Sequence, residues 1–221
     1  MTDAARRLIL FARYPVPGRV KTRLIPALGA EGAASLHRRL VLRTLRTAHA
    51  ACRSLNAELE LRYDGGHETA NRHWLGIQGL CRPQKGGDLG ERMANAFEDS
   101  FREGSTATII IGSDCPGLRP DTVAAGFDHL SRVPTAFGPA NDGGYYLIGL
   151  SRIFPELFYG IAWGTDSVLT ESRRVLSKRG LEPALLSPSM TWTGQKTSVS
   201  GSGSLNTRTP TSLAFQSSSL H

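Results

Sequence analysis

Gly18, Arg19, Lys21 and Arg23 stand together in the segment ARYPVPGRVKTRL, with three cations inside five positions. Glycine lets a backbone approach a ligand, and clustered guanidinium and ammonium groups meet phosphate oxygens. The segment from Pro17 to Arg23 therefore suits a di- or triphosphate, although a merely solvated basic loop would read the same way. Neither GxxxxGK[ST] nor GxGxxG is present, so it is not a Walker or dinucleotide loop.

A carboxylate follows the most strand-like run of the chain, TATIIIG, in the motif SDCPGL. Asp114 just past buried isoleucines is costly unless it meets a cation, so metal ligation is its natural role. Capping the next turn or pairing with Arg119 would also satisfy it. Cys115 beside it has no histidine nearby in sequence and reads as a buried residue next to Pro116, not a nucleophile.

GPANDGGYYLIGL places Asp142, Gly143 and Gly144 before an apolar strand, where backbone and carboxylate together could hold a sugar or small acceptor. An ordinary Asp-Gly turn needs no such role. WGTDSVL offers Trp163 and Asp166 at a helix start, with Thr165 or Asp166 as the alternative N-cap. In GGDLGERM, capping explains Asp88 first and ligand binding second. No histidine pair has HxxxH spacing, so a histidine zinc site has no support.

Short β-rich runs alternating with helical patterns must position these loops, which predicts an α/β chain with a mostly parallel sheet. Strands are expected at 7–12, 58–63, 80–84, 106–112, near 136 and at 182–186, with a hairpin-like GGYYLIGL segment. Helices are expected over 31–54, 67–75, 120–131 and 166–179, and from Asp88 to about Arg102 with Glu91 completing a capping-box-like pair. The first helix is amphipathic, with Ala33, Leu36, Leu40, Leu42 and Leu45 on one face and Arg and His on the other. In such sheets ligands collect beyond the carboxyl ends of the strands, where the loops above fall.

Length and composition agree. The 221 residues, 40% hydrophobic and 7% aromatic, are enough for one large domain, and no apolar run approaches a membrane span. The apolar stretch near the start is too short for a signal peptide, and the three scattered cysteines suit a reducing compartment, so the cytoplasm is expected. The net charge of +7 would raise nucleic-acid binding, but its distribution weakens that reading. All 19 acidic residues lie at or before Glu182, while Ser and Thr supply 16 of the 35 residues from Ser187 onward.

In order and spacing, ARYPVPGRVKTRL, GGDLGERM, GSDCPGL, NDGGYYLIGL and WGTDSVL resemble the bacterial family of GT-A-fold, glycosyltransferase-like proteins, the selenodomain-associated or nucleotide-diphospho-sugar transferases. The resemblance covers roughly residues 6 to 186. It implies a Rossmann-like GT-A three-layer sandwich and a metal-dependent transferase that binds a nucleotide-diphospho-sugar donor with Mg or Mn. On that resemblance Pro17, Gly18, Arg19, Lys21, Arg23 and Asp88 would bind the nucleotide, and Asp114 the metal. Gly143, Gly144 and Trp163 would bind substrate, while Asp166 and Asp142 are the candidate catalytic carboxylates. Asn141 stands where the family usually has an acid, so it takes no charge role. Two alternatives remain: a guanylyltransferase-type nucleotidyltransferase, to whose basic loop VKTRL is similar, and a degenerate GT-A binding module without catalysis.

The family continues after its last strand with a DVDxPEDL motif, whereas residues 190 to 204 read MTWTGQKTSVSGSGS. One codon choice for those residues, read from its third base, encodes DVDRPEDLRLWERE, with six acids against three arginines. The expected organisation is thus a GT-A-like domain over 1–186 and a tail over 187–221 that is disordered and frameshifted. The shift removes an aspartate expected to help hold metal, and with it the main argument for nucleic-acid binding.

Overall fold

The computed structural model describes residues 5–189. The tail expected to be disordered and frameshifted spans 187–221, and from residue 190 onward it lies outside the described residues.

Strand β1 (Arg6–Arg13) is followed by a loop, a 3₁₀ turn (Thr22–Leu24) and helix α1 (Ile25–Leu55). Then come β2 (Glu58–Asp64), α2 (Glu68–Leu75), β3 (Leu80–Pro83), α3 (Leu89–Arg102) and β4 (Ala107–Gly112). The remainder is α4 (Pro120–Leu130), β5 (Thr135–Pro139), β6 (Tyr145–Leu150), α5 (Val168–Ser177) and a short β7 (Ala184–Leu185).

One seven-stranded sheet has the order β3-β2-β1-β4-β6-β5-β7. All its pairings are parallel except those of β6, which runs antiparallel between β4 and β5. The period-two alternation of β1 sends Leu8, Leu10 and Ala12 to one face and Ile9 and Phe11 to the other. The first face packs on α1 and α4 through Val41, Leu45, Val123 and Phe127. The second packs on α3 and α5 through Met93, Phe97 and Leu176. Helices on both faces of a mostly parallel sheet give the expected three-layer α/β architecture.

Two local readings change. Helix α1 begins at Ile25 rather than 31, and absorbs a kink at Gly29, whose φ of 70° and ψ of 167° are not helical. His37 belongs to the core-facing stripe with Ala33, Val41, Thr44 and Ala48, not to the outer Arg face. Its ring Nε2 lies 2.9 Å from the Arg13 carbonyl at the end of β1, which satisfies a polar group that the amphipathic pattern places inward.

Chain reversal explains why loops far apart in sequence converge. Strand β1 pairs with β2 on one side and β4 on the other, so the strand order reverses between β1 and β4. Because β6 is antiparallel, the turn before it, rather than after it, reaches the edge where β1 and β4 end. Residues 187–189 continue alongside β5: Ser189 N–H donates to the Pro139 carbonyl at 3.0 Å, and the Tyr146 hydroxyl donates to the Ser187 carbonyl at 3.0 Å.

Candidate functional site

Three adjoining cavities of about 410, 500 and 700 Å³ run along the carboxyl edge of the sheet. The first, at the reversal point, is lined by Lys21, Thr22, Arg23, Asp114, Asp142 and Tyr145. The second shares Lys21 and Asp114 with it and extends over Arg13, His37, Asp64, Gln84, Asp88 and Arg92. The third shares Arg23, Asp142 and Tyr145 with the first and adds Gly143, Gly144, Trp163 and Asp166.

The basic segment divides. Lys21 and Arg23 face the cavities, whereas Pro17, Gly18 and Arg19 are exposed and line none of the three. Lys21 takes a left-handed backbone at φ 49°, ψ 40°, unusual for a residue with a side chain, and opens the 3₁₀ turn into α1. Leu24, just before α1, lines the central cavity, but the 3₁₀ turn already uses the Leu24 and Ile25 N–H groups on the Lys21 and Thr22 carbonyls and Pro26 has none, so Lys21 and Arg23 are the groups that favour an anion there.

Lys21 Nζ lies 3.1 Å from Asp114 Oδ2. Asp114 is therefore paired across the reversal point, while Arg119 pairs with its exposed neighbour Asp121 at 3.7 Å. The other carboxylate oxygen, Asp114 Oδ1, is buried with no hydrogen-bond partner, an acceptor that a hard cation would complete. Asp142 lines the same cavity. Among the described residues no three His, Cys, Asp or Glu form a metal cluster, so phosphate oxygens and water would fill the remaining positions. That division suits a cation of the Mg type, which one or two carboxylates and substrate phosphates commonly hold.

Asp88 caps α3: its Oδ1 accepts from Glu91 N–H at 2.8 Å, and Glu91 Oε2 accepts from Gly87 N–H at 2.7 Å. The same residue also lines the second cavity. Gly90, two residues on, leaves room for Trp163, since a Cβ there would collide with the indole Nε1 and the Phe158 carbonyl. Trp163 also meets Tyr145 edge to face at 6.5 Å. Gly144 N–H donates to Asp142 Oδ1 at 3.2 Å, which fixes the carboxylate over its own turn.

Asp166 is exposed and does not cap α5, whose N-cap is Ser167. Glu171 holds this loop: it accepts from Ala162 N–H and Ser167 Oγ, both at 2.9 Å. The Ala162 N–H and the Ser167 hydroxyl keep its carboxyl below the ordinary value. Burial pushes the Cys115 thiol up and the Tyr146 phenol up to about 12, so neither is an activated nucleophile.

Several lining residues carry no motif. Asp64 is the last residue of β2, much as Asp114 lies just past β4, and accepts from Arg13 Nε at 2.8 Å while pairing with Arg92 at 3.2 Å. A search for carboxylates at the carboxyl end of each strand would have found it. Gln84 donates through Nε2 to the Arg62 carbonyl at 3.0 Å. Burial holds the His37 imidazole below its ordinary value, against its hydrogen bond to Arg13 and the pull of Asp114, with Lys21 and Arg13 acting in the same direction as burial. No described helix is long and apolar enough to cross a membrane.

Residues 47–165 match the family described as "Uncharacterized protein conserved in bacteria (DUF2064)". A protein of Desulfovibrio desulfuricans G20, provisionally assigned as a nucleotide-diphospho-sugar transferase, is 33% identical with a TM-score of 0.80, over 86% of this chain and 83% of that one. Two more distant structures share the fold. The Rv0371c protein of Mycobacterium tuberculosis H37Rv, in complex with manganese, is 16% identical, with a TM-score of 0.54 over 88% of this chain and 95% of that one. Glucosyl-3-phosphoglycerate synthase of Mycobacterium tuberculosis, in complex with Mn²⁺, UDP and glucosyl-3-phosphoglycerate, is 10% identical, with a TM-score of 0.52 over 86% and 72%. No curated protein matches the chain.

Proposed function

The chain belongs to the bacterial DUF2064 family, and on that premise we propose that it is a divalent-cation-dependent transferase that moves a sugar from a nucleoside diphosphate to a hydroxyl acceptor. The observation that carries this reading is the charge sequence along the cleft. Lys21 and Arg23 meet Asp114 at the reversal point, and the carboxylates Asp142 and Asp166 line the cavity beyond. Among relatives, the 33% identical protein provisionally assigned as a nucleotide-diphospho-sugar transferase supports it.

The nucleoside occupies the second cavity, between Arg13, Asp64, Gln84 and Asp88, and its diphosphate lies over Lys21 and Arg23. Asp114, with Asp142 alongside, would hold Mg or Mn, which would supply charge to offset that of the leaving diphosphate. Sugar and acceptor share the third cavity, against Trp163 and the Gly143–Gly144 backbone. The bond from the anomeric carbon to the diphosphate oxygen breaks as the acceptor oxygen attacks. The acceptor proton passes to Asp166, and the nucleoside diphosphate leaves with the bonding pair.

Nucleotidyl transfer is the second reading, because it needs the same cations and metal. The third cavity argues against it: Arg23 stands there with two carboxylates, Asp142 and Asp166, a poor setting for a doubly charged phosphate acceptor. Product analysis separates the two. Sugar transfer releases a nucleoside diphosphate, whereas pyrophosphate release from a nucleoside triphosphate would replace this reading with the second.

A further inference from the structure

Lys21 pairs with one oxygen of Asp114 at the centre of the cleft, while the other, Oδ1, is buried without a hydrogen-bond partner. The Lys21 side chain is only 10% exposed and is held at 3.1 Å from Asp114 Oδ2, although the carboxylate side chain itself is 47% exposed. The backbone that delivers Lys21 is left-handed, a conformation rarely adopted outside glycine, and is fixed by Leu24 N–H donating to the Lys21 carbonyl at 2.8 Å. Strain of this kind persists where surrounding structure enforces it, which is common at ligand sites. The geometry therefore spends an unfavourable residue conformation on putting one ammonium against one carboxylate.

A divalent cation of the Mg type on the open Asp114 Oδ1 would sit about 2.0–2.1 Å from it, across one carboxylate from the ammonium on Oδ2, so the two positive centres would repel each other. No described cluster of three acidic or soft ligands could outbid the lysine. Phosphate could, because the lysine stem is flexible and its ammonium binds phosphate as a point charge. Arg23, which lines the same cavity, offers such a phosphate a second cation.

We infer that Lys21 is a cation latch on Asp114: it holds the carboxylate in the unliganded protein, and the metal enters only when a nucleotide diphosphate draws the ammonium away. The inference rests on the reading of this cleft as a nucleotide-sugar site, and assigns that site an order of binding. Lys21 is here a positioning residue that keeps the metal site closed until the diphosphate arrives.

The test titrates the full chain with Mn²⁺ alone, without nucleotide, and follows the free-ion signal by electron paramagnetic resonance. Lys21→Gln should bind Mn²⁺ about tenfold more tightly than the parent chain, the order expected from removing one adjacent positive charge. Lys21→Arg, which keeps the charge, should behave as the parent, and Asp114→Asn added to Lys21→Gln should abolish the gain. Equal Mn²⁺ affinity in Lys21→Gln and the parent, or a gain that survives Asp114→Asn, would overturn the latch. The two readings fail separately: sugar transfer without this Mn²⁺ response removes the latch alone, and the response without sugar transfer removes the proposed reaction alone.

Discussion

Gly143 and Asp166 pack backbone against backbone, so closely that a Cβ on Gly143 would overlap the Asp166 carbonyl. Gly143 has φ +84°, and its own carbonyl accepts from Leu169 N–H at 3.0 Å in the first turn of α5. The turn before β6 and the loop before α5 therefore form one wall of the third cavity. Each of the candidate catalytic carboxylates stands on one of its two strips.

Gly143→Ala meets both a left-handed backbone and that carbonyl. It should lower folding stability by about 1–3 kcal/mol. Thermal unfolding checks this, and an unchanged melting temperature would contradict the contact. Sugar transfer should fall together with stability, because the wall itself must move.

Asp166 and Asp142 should separate kinetically. Asp166 lines only the third cavity, so Asp166→Asn should lower kcat roughly 10²- to 10⁴-fold, the usual contribution of a general base, while donor binding holds. Asp142 lines the central cavity as well, so Asp142→Asn should weaken both turnover and Mn²⁺-dependent donor binding. Steady-state kinetics beside calorimetric binding reads the two effects, and equal behaviour of the variants would contradict the assignment.

His37 gives a pH signature. Its folded value lies below the ordinary 6.5 because burial disfavours the charged ring. The unfolded chain therefore binds more protons there, and stability rises with pH across the interval between the two values. His37's contribution is complete above about pH 6.5 and is lost as pH falls through the folded value. His37→Gln should flatten the stability profile below about pH 6.5, measured by chemical denaturation; a profile unchanged by the substitution would contradict it.

The elements were legible because their periodicity is plain, and the five motifs because strand ends carried glycine and charge. Contacts between motifs were not legible. Nothing local marks Gly90 as the seat of Trp163, since the glycine also reads as part of a helix start. By residue type His37 belongs on the polar face, but its spacing with Ala33, Val41 and Thr44 places it inward. The alternation Glu58, Glu60, Arg62 gives no sign that Glu60 and Arg62 are almost fully buried in an ion network with Arg7 and Asp99. Such burial becomes tolerable only through partners brought from β1 and α3.

The tail carries its own prediction. Ser189 Oγ lies 3.1 Å from Cys115 Sγ, next to Asp114, so the chain leaves its described part beside the carboxylate proposed to hold the metal. A frame-restored protein, whose Asp-Val-Asp run begins at the following codon, should bind Mn²⁺ with nucleotide more tightly than the chain as it stands. Equal affinity, or a gene sequence incompatible with the shifted reading, would contradict the frameshift.

The most direct test of the proposed function is thermal stabilisation by a panel of UDP-, GDP-, ADP- and TDP-sugars beside GTP and CTP, with and without Mn²⁺, on the parent chain and on Asp114→Asn. Ligands that bind the folded state raise its melting temperature by mass action. One diphosphate sugar should stabilise the parent in the presence of Mn²⁺ and lose that effect in Asp114→Asn. Stabilisation by a triphosphate alone, or a response to diphosphate sugar indifferent to both Mn²⁺ and Asp114, would contradict the account.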